Sequence, residues 1–330
     1  MRISTRLLAA LALAAALVLS ACGSSGSDGD ATRVAGIFSG PTTDADYNQL
    51  GLEALKELES NGAEISYSES VEVPDIERVL QEYVADGYNV IWTHGSQFYE
   101  ATAEIAEQNP DVNFIGEFDG KPEDQPDNVW VLDRNFHTVF YPIGTLAAHL
   151  SESGKVGYLG GLALPFSYAE VHAVRQAIDD SGEDVEFKAV WDDDFNDTVK
   201  AQQLTSQLLA DGNDVIITSL NLGAVGAFKA MVKTDPGDAW ITVKYTDKSK
   251  NGPDHYAATV LYDFTDPLTE ITDKIQDGTT NGYYAISFGK GAKVDVGDKI
   301  PDDVRKEVEK AVDGITDGSI KVKNDQSKTK

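Results

Sequence analysis

From Arg33 onward, short runs rich in Val and Ile alternate with longer amphipathic segments, and the alternation starts afresh after about residue 133. Strand and helix in alternation imply a mainly parallel sheet covered on both faces, which narrows the possible folds more than any other property of the chain. The first run is 33–39, followed by a segment at 47–60 whose Leu52, Leu55 and Leu58 share one helical face. Further strand patterns fall at 64–68, 90–93, 112–116 and 129–132, with helices at 76–85 and 101–108. The second series runs helix 140–151, strand 155–160, helix 168–179, strand 186–191, helix 199–210, strand 214–219 and helix 224–231. It ends in strands at 240–244 and 257–262 and helices at 268–276 and 304–312. The expectation is an α/β protein of two doubly wound, Rossmann-like lobes, with crossings near Asp133, Asp263 and Lys290. Lobe I takes 33–132 and about 264–290, lobe II takes 133–263 and about 291–320, and the polar tail 321–330 is expected to fray.

The amino terminus has a different character. Arg2 and Arg6 precede an apolar stretch at 7–19, which leads into Leu19-Ser20-Ala21-Cys22. A basic start, a short apolar run and small residues before a cut site are the marks of an export signal. The stretch is shorter than the roughly 20 residues that span hydrocarbon. The motif reads as a lipobox: residues 1–21 are a signal peptide and the mature chain starts at a lipidated Cys22. A flexible tether of Gly, Ser and Asp follows, to residue 32. Cys22 is the sole cysteine, so an intrachain disulfide, a thiolate metal cluster and a thiol nucleophile elsewhere are excluded. The formal charge of -28 repels phosphate backbones and anionic headgroups, which argues against nucleic acid as a partner and leaves the lipid as the only membrane contact.

In open α/β sheets a ligand sits beyond the carboxyl ends of the strands. After the first run comes a polar loop containing Asp44, Tyr47 and Asn48; after later runs come His94, Asp119, the stretch from Trp191 through Phe195 to Asp197, then Asn221 and Gly223, and Asp247. Carboxylates and amides accept and donate hydrogen bonds to hydroxyl and N–H groups, while aromatic faces cover an apolar plane. The mixture suits a neutral, flat, hydroxyl-bearing ligand such as a nucleoside or a sugar. Asp and Asn after strands also cap helices and shape turns, and Asp197 fits either role.

The run Val34-Ala35-Gly36-Ile37-Phe38-Ser39-Gly40, with Asp44, Tyr47 and Asn48 spaced as Asp-x-x-aromatic-Asn, resembles the opening of the basic membrane lipoprotein family. The blocks 87–91, 144–148, 154–161, 211–216 and 318–322 are similar too, so the likeness covers nearly all of 33–322. That family comprises substrate-binding lipoproteins of ABC importers, including purine nucleoside receptors. The resemblance implies the type I periplasmic-binding-protein architecture, two lobes on a multi-strand hinge, and an ABC permease as partner. It implies that Asp44 and Asn48 bind polar ligand edges and that Tyr47, where the family usually has Phe, stacks on a ring. It further implies a ligand contact by Asp119, a second aromatic wall from Phe195 or Trp191, close backbone approach at Asn221–Gly223, and Asp247 on ribose-type hydroxyls. Nucleoside-binding relatives place a lysine shortly after the strand that here ends Leu261-Tyr262-Asp263-Phe264; Asp263 and Phe264 stand in that region instead. By analogy the protein is a monomer, lipid-anchored on the extracytoplasmic face of a bacterial cell membrane.

An enzyme reading lacks its parts. The sequence holds no Gly-x-Ser-x-Gly elbow, P-loop or His-Glu-x-x-His, and His94, His137, His149, His172 and His255 are scattered without ligand spacing. Gly157 to Gly161 does not match a dinucleotide loop, and Asp192 to Asp194 lacks the glycine and terminal glutamate of a calcium loop. Neither cofactor nor metal is expected. The alternatives within the binding class are a sugar receptor on the same fold and a ligand-sensing co-receptor lipoprotein. The expected mechanism is hinged closure of the lobes over one small solute.

Overall fold

A computed structural model describes residues 32–329. The signal peptide, Cys22 and almost all of the tether lie outside the described residues. Thirteen strands and nine α-helices are present among them: β1 (Arg33–Phe38), α1 (Tyr47–Ser60), β2 (Glu64–Ser68), α2 (Ile76–Ala85), β3 (Val90–His94), α3 (Tyr99–Gln108), β4 (Asn113–Glu117) and β5 (Val129–Asp133) come first. The second series is α4 (Phe136–Leu150), β6 (Lys155–Gly160), α5 (Pro165–Ser181), β7 (Glu186–Trp191), α6 (Thr198–Ala210), β8 (Val215–Ser219), α7 (Gly223–Met231), β9 (Trp240–Tyr245) and β10 (Tyr256–Tyr262). Then follow α8 (Thr265–Gln276), β11 (Gly282–Ala285), β12 (Ser287–Phe288), β13 (Gly291–Val296) and α9 (Asp302–Asp317).

The strands form two sheets. One has the order β11-β5-β4-β3-β1-β2, the other β12-β13-β10-β9-β8-β6-β7. The first is parallel throughout, whereas in the second β13 runs antiparallel to β10. Strands buried on both faces open on apolar runs, Val90-Ile91-Trp92 in β3 and Val215-Ile216-Ile217 in β8, and turn polar only at their carboxyl ends, with Thr93-His94 and Thr218-Ser219. On one face of the first sheet Val34, Phe38, Val90 and Trp92 pack against Leu52, Leu55 and Leu58 of α1 and Leu268 and Ile271 of α8. On the other, Ala35, Ile37, Ile91 and Phe114 meet Val79 and Leu80 of α2 and Ile105 of α3. The second sheet is covered in the same manner by α4, α5 and α9 on one side and by α6 and α7 on the other.

Three passages join the sheets: β5 to α4 at Asp133–Phe136, β10 to α8 at Tyr262–Thr265, and β11 to β12 at Ala285–Ser287. The third lies ahead of the expected Lys290, because Gly282 to Ala285 pair with Trp130 to Asp133 and the next residues already belong to the second sheet. Helix α4 starts earlier than its apolar periodicity suggests and contains Pro142. The expectation of a frayed tail is corrected. Residues 321–327 form hydrogen bonds with both lobes, so polar composition marks a hydrogen-bonded segment here rather than a loose one.

Candidate functional site

The carboxyl ends of both sheets meet in a crevice built around Tyr47. The loop before α1 fixes that residue: Asp44 Oδ1 accepts the backbone N–H of Asp46 (2.9 Å) and of Gln49 (3.0 Å), and its Oδ2 accepts the Asn48 backbone N–H (3.0 Å) and Nδ2 (2.8 Å). Asn48 Oδ1 in turn accepts the Gly40 N–H at 3.2 Å. Both side chains are thus engaged in shaping the loop. The Tyr47 ring stacks on His94, centroids 3.8 Å apart and planes at 17°, and Gly51 lets α1 sit this close: a Cβ there would meet the His94 ring at 2.8 Å. Tyr47 Oη donates to Glu117 Oε2 at 2.6 Å. The two His94 nitrogens lie within hydrogen-bond distance of Glu117 Oε1 (2.5 Å) and of the Tyr47 carbonyl (2.9 Å).

Arg134 stands at the first passage between the lobes and touches both. On the first-lobe side its Nη2 donates to Ser96 Oγ (3.0 Å) and lies 3.7 Å from Asp119, with Nε 3.3 Å from Glu117. On the second-lobe side its Nη1 reaches Tyr245 Oη (3.4 Å), and its guanidinium lies over the rings of Phe136 (4.6 Å) and Phe166 (5.1 Å). Burial works to raise the Glu117 carboxyl, but His94 and Arg134 outweigh it and hold that group below its ordinary value. Asp119 goes the other way, pushed up to about 7 chiefly by burial, with Arg134 opposing. Deeper in lobe II, Lys244 is buried 3.5 Å from Glu170, which also accepts from Tyr158 Oη. The Lys244 ammonium is surrounded by the rings of Phe136, Tyr245, Phe166 and Phe195 at 4.6 to 5.8 Å, and burial lowers it to about 8.

Across the crevice, Lys248 Nζ donates to Asp46 Oδ1 at 2.7 Å and Thr246 Oγ1 to the same oxygen at 3.1 Å, while Tyr47 faces Tyr245 at 5.0 Å. Tyr245 has φ +72, a left-handed conformation that costs a bulky residue energy; such strain concentrates at ligand clamps. Phe195 stacks on Phe166 at 6.2 Å, and its backbone carbonyl accepts the N–H groups of Asn221 and Gly223. Glycine is required beneath it, since a Cβ on Gly161 would lie 2.2 Å from the Phe195 ring.

Several buried polar atoms here have no hydrogen-bond partner in the protein: Asp46 Oδ2, Asp119 Oδ1, Arg134 Nε, Ser219 Oγ and both oxygens of Asp192. All belong to residues at or just past a strand's carboxyl end, or in the loop before α1. Arg134 Nε and Asp119 Oδ1 face opposite charges at 3.3 and 3.7 Å, and Trp92 Nε1, Tyr99 Oη, Asn113 Oδ1 and Thr269 Oγ1 also lack partners. Buried polar groups are nearly always satisfied, so the free oxygens of Asp46, Asp192 and Ser219 at these strand ends are where a ligand or water has most to complete. A more open groove of about 500 Å³ lies between β13 and α9, lined by Phe288, Val294, Val308 and Val312 among others. It lies apart from these atoms, and the crevice is the better candidate.

The family model described as ABC transporter substrate-binding protein PnrA-like matches residues 31–326. The chain belongs to this family. Among PnrA-like relatives, Basic membrane protein A2 of Borrelia garinii subsp. bavariensis is 24% identical over 314 residues, covering 91% of this chain and 89% of the relative. The ABC transporter nucleoside-binding protein BmpA of Lactococcus lactis subsp. cremoris is 26% identical over 345 residues, covering 95% and 97%. In fold, the chain is similar to an ABC transporter solute-binding protein from Conexibacter woesei, with TM-score 0.70, 24% identity, and coverage of 89% and 99%. The two-lobed α/β architecture expected from the alternation is that of these periplasmic binding proteins.

Of the PnrA-like site residues expected from sequence, Tyr47, His94, Asp119 and Phe195 converge on the crevice. Trp191 packs instead between Tyr158 and Tyr168, each 5.6 Å away, with Gly160 under its ring. Asp247 and Asp263 are exposed, and each caps a turn, accepting the N–H of Ser249 and of Thr265 at 2.7 Å. Asn221 and Gly223 act through their backbones. Sequence reasoning passed over Asp46, Arg134, Phe136, Phe166, Glu170, Lys244, Tyr245 and Lys248. One signal was available: Lys244 interrupts the apolar run of β9, and a lysine inside a buried strand needs a buried partner.

Proposed function

We propose that the protein is an extracytoplasmic, lipid-anchored receptor that captures a purine nucleoside in the crevice between its lobes by hinged closure and presents it to an ABC permease. The observation that supports this most is the set of unpartnered buried polar atoms beside aromatic faces. Surplus acceptors on Asp46 and Asp192 call for a ligand rich in O–H and N–H donors, and Tyr47 and Tyr245, which pack on each other from opposite lobes at 5.0 Å, would part to admit a planar ring when the hinge opens. A nucleoside has both. The name of the Lactococcus relative points the same way. Tyr47, Asp119 and Phe195 are the proposed contacts from the sequence, joined by Arg134 and Tyr245.

A ligand that binds only the folded form stabilises it by RT ln(1 + [L]/Kd), about 2.7 kcal/mol at a hundredfold excess over Kd. Inosine or guanosine at that excess is therefore expected to raise the melting temperature by roughly 5–8 °C. Ribose, glucose and galactose are expected to leave it unchanged. A shift with the sugars and none with nucleosides would contradict the purine assignment.

The anchoring rests on Leu19-Ser20-Ala21-Cys22. Cys22→Ser is expected to move the processed protein from the membrane fraction to the soluble one, read by immunoblot after fractionation. Unchanged membrane retention would remove lipidation from the account.

A further inference from the structure

After α9, residues 321–327 lie between the lobes and make hydrogen bonds to both. One side faces α5 of lobe II. The Lys321 carbonyl accepts from Gln176 Nε2 (3.0 Å), the Lys323 N–H donates to Gln176 Oε1 (3.1 Å), and the Ser327 carbonyl lies 2.9 Å from His172 Nε2. Asp325 lies 3.9 Å from His172 Nδ1. The other side faces the loop after β4 in lobe I. Gln326 Nε2 donates to the Asp119 carbonyl at 2.6 Å, and the Asn324 amide lies over Gly120, where a Cβ would come within 3.0 Å of it. Gly120 has φ +95 and donates its N–H to Asp133 Oδ2 at 3.1 Å, next to the passage that carries Arg134.

We infer that this segment is a strap between the lobes and that Gln326 is a positioning residue: it holds the Asp119 loop so that the carboxylate stays beside Arg134 in the crevice. The strap adds a noncovalent connection to the three covalent passages, and its far end is fixed to the same helix, α5, that carries Glu170. A hydrogen bond to the Asp119 backbone constrains where the side chain starts without touching a ligand. The consequence for affinity rests on the nucleoside reading; the positioning itself does not.

The test uses the mature full-length chain with Gln326→Ala, Gln326→Lys and Asp119→Asn. Losing one hydrogen bond of ordinary net strength corresponds to a factor of about 2–12. In ligand-free protein, Gln326→Ala is expected to speed amide hydrogen exchange across residues 118–121 by about that factor, with the melting temperature held within about 2 °C. Inosine should dissociate faster by a similar factor, and Gln326→Lys, which keeps a donor, should restore both readings. The effect of Gln326→Ala on inosine affinity should vanish in the Asp119→Asn background, since residues acting through one group are not additive. Unchanged exchange at 118–121, or an equal loss of affinity in both backgrounds, would overturn the assignment. If the wild type takes no inosine, the functional reading fails, and the exchange measurement still decides the role of Gln326.

Discussion

Arg134→Met is expected to lower the unfolding free energy by about 3–5 kcal/mol, because removing one partner of a buried ion cluster strands the others. Arg134 is 4% exposed and its guanidinium lies 3.3 Å from Glu117 and 3.7 Å from Asp119, so its loss takes from both carboxyls the one cation they share. The guanidinium also lies over aromatic rings from both lobes, at 5.3 Å from Tyr47 and 5.1 Å from Phe166, so the substitution removes packing across the crevice as well. Nucleoside binding should be lost with it. Urea titration checks the first claim: the midpoint falls while the slope is unchanged. Arg134→Lys should recover part of the loss, since a lysine supplies the charge without the planar fork that reaches Ser96 and Tyr245 together. A loss below about 1 kcal/mol for the Met variant would show that the carboxylates have other means of neutralisation.

The second large effect concerns pH. Asp119 in the folded protein is raised to about 7, chiefly by burial, against about 3.9 in an unfolded chain. Between those values the folded state holds a proton that the unfolded state has released. Its contribution to stability is therefore fully present below the unfolded value and is lost as pH rises through about 7. Asp46, raised to about 6 by burial against the pull of Lys248, acts in the same direction over a lower window. Glu117, held low, has the opposite sign and loses its contribution in more acid solution. Raising the pH from 5 to 8 should thus lower the unfolding free energy by on the order of 2–3 kcal/mol through Asp119. Asp119→Asn should flatten that slope, as followed by chemical denaturation at each pH. Parallel pH profiles for the wild type and the variant would contradict the placement of this carboxyl.

The lobes were legible in the sequence because burying a parallel sheet on both faces demands apolar runs of strand length, and the helices between them demand one apolar stripe each. That is why the strand at 90–93, one residue short of its end at His94, and the Leu52, Leu55, Leu58 stripe of α1 could be read directly. The short strands β11 to β13 were not, since Gly282 to Ala285 and Ser287–Phe288 are only half-buried and carry no alternation. The crevice was legible in part. Tyr47, His94 and Asp119 were singled out because they follow their strands, with ligand roles for Tyr47 and Asp119 implied by the family resemblance, and the structure places them together where the lobes meet. Asp44 and Asp247 share that position, but their carboxylates close turns, and the residue type is the same in both roles. Arg134 was hidden because it lies in a passage between lobes. Lys244, Tyr245 and Glu170 were hidden because their significance is a pairing between β9 and α5, separated by 74 residues for Lys244 and Glu170. The tail followed the same logic, its polar residues serving hydrogen bonds to two lobes at once.

The central claim is that a nucleoside occupies the crevice where the two sheets' carboxyl ends meet. A crystal structure of the mature protein grown with saturating inosine tests it most directly. The account predicts one inosine between the lobes, its ring against Tyr47 and a donor within hydrogen-bond distance of Asp119. Inosine seated in the groove between β13 and α9 instead, or an inosine-free crevice at saturation, would contradict it.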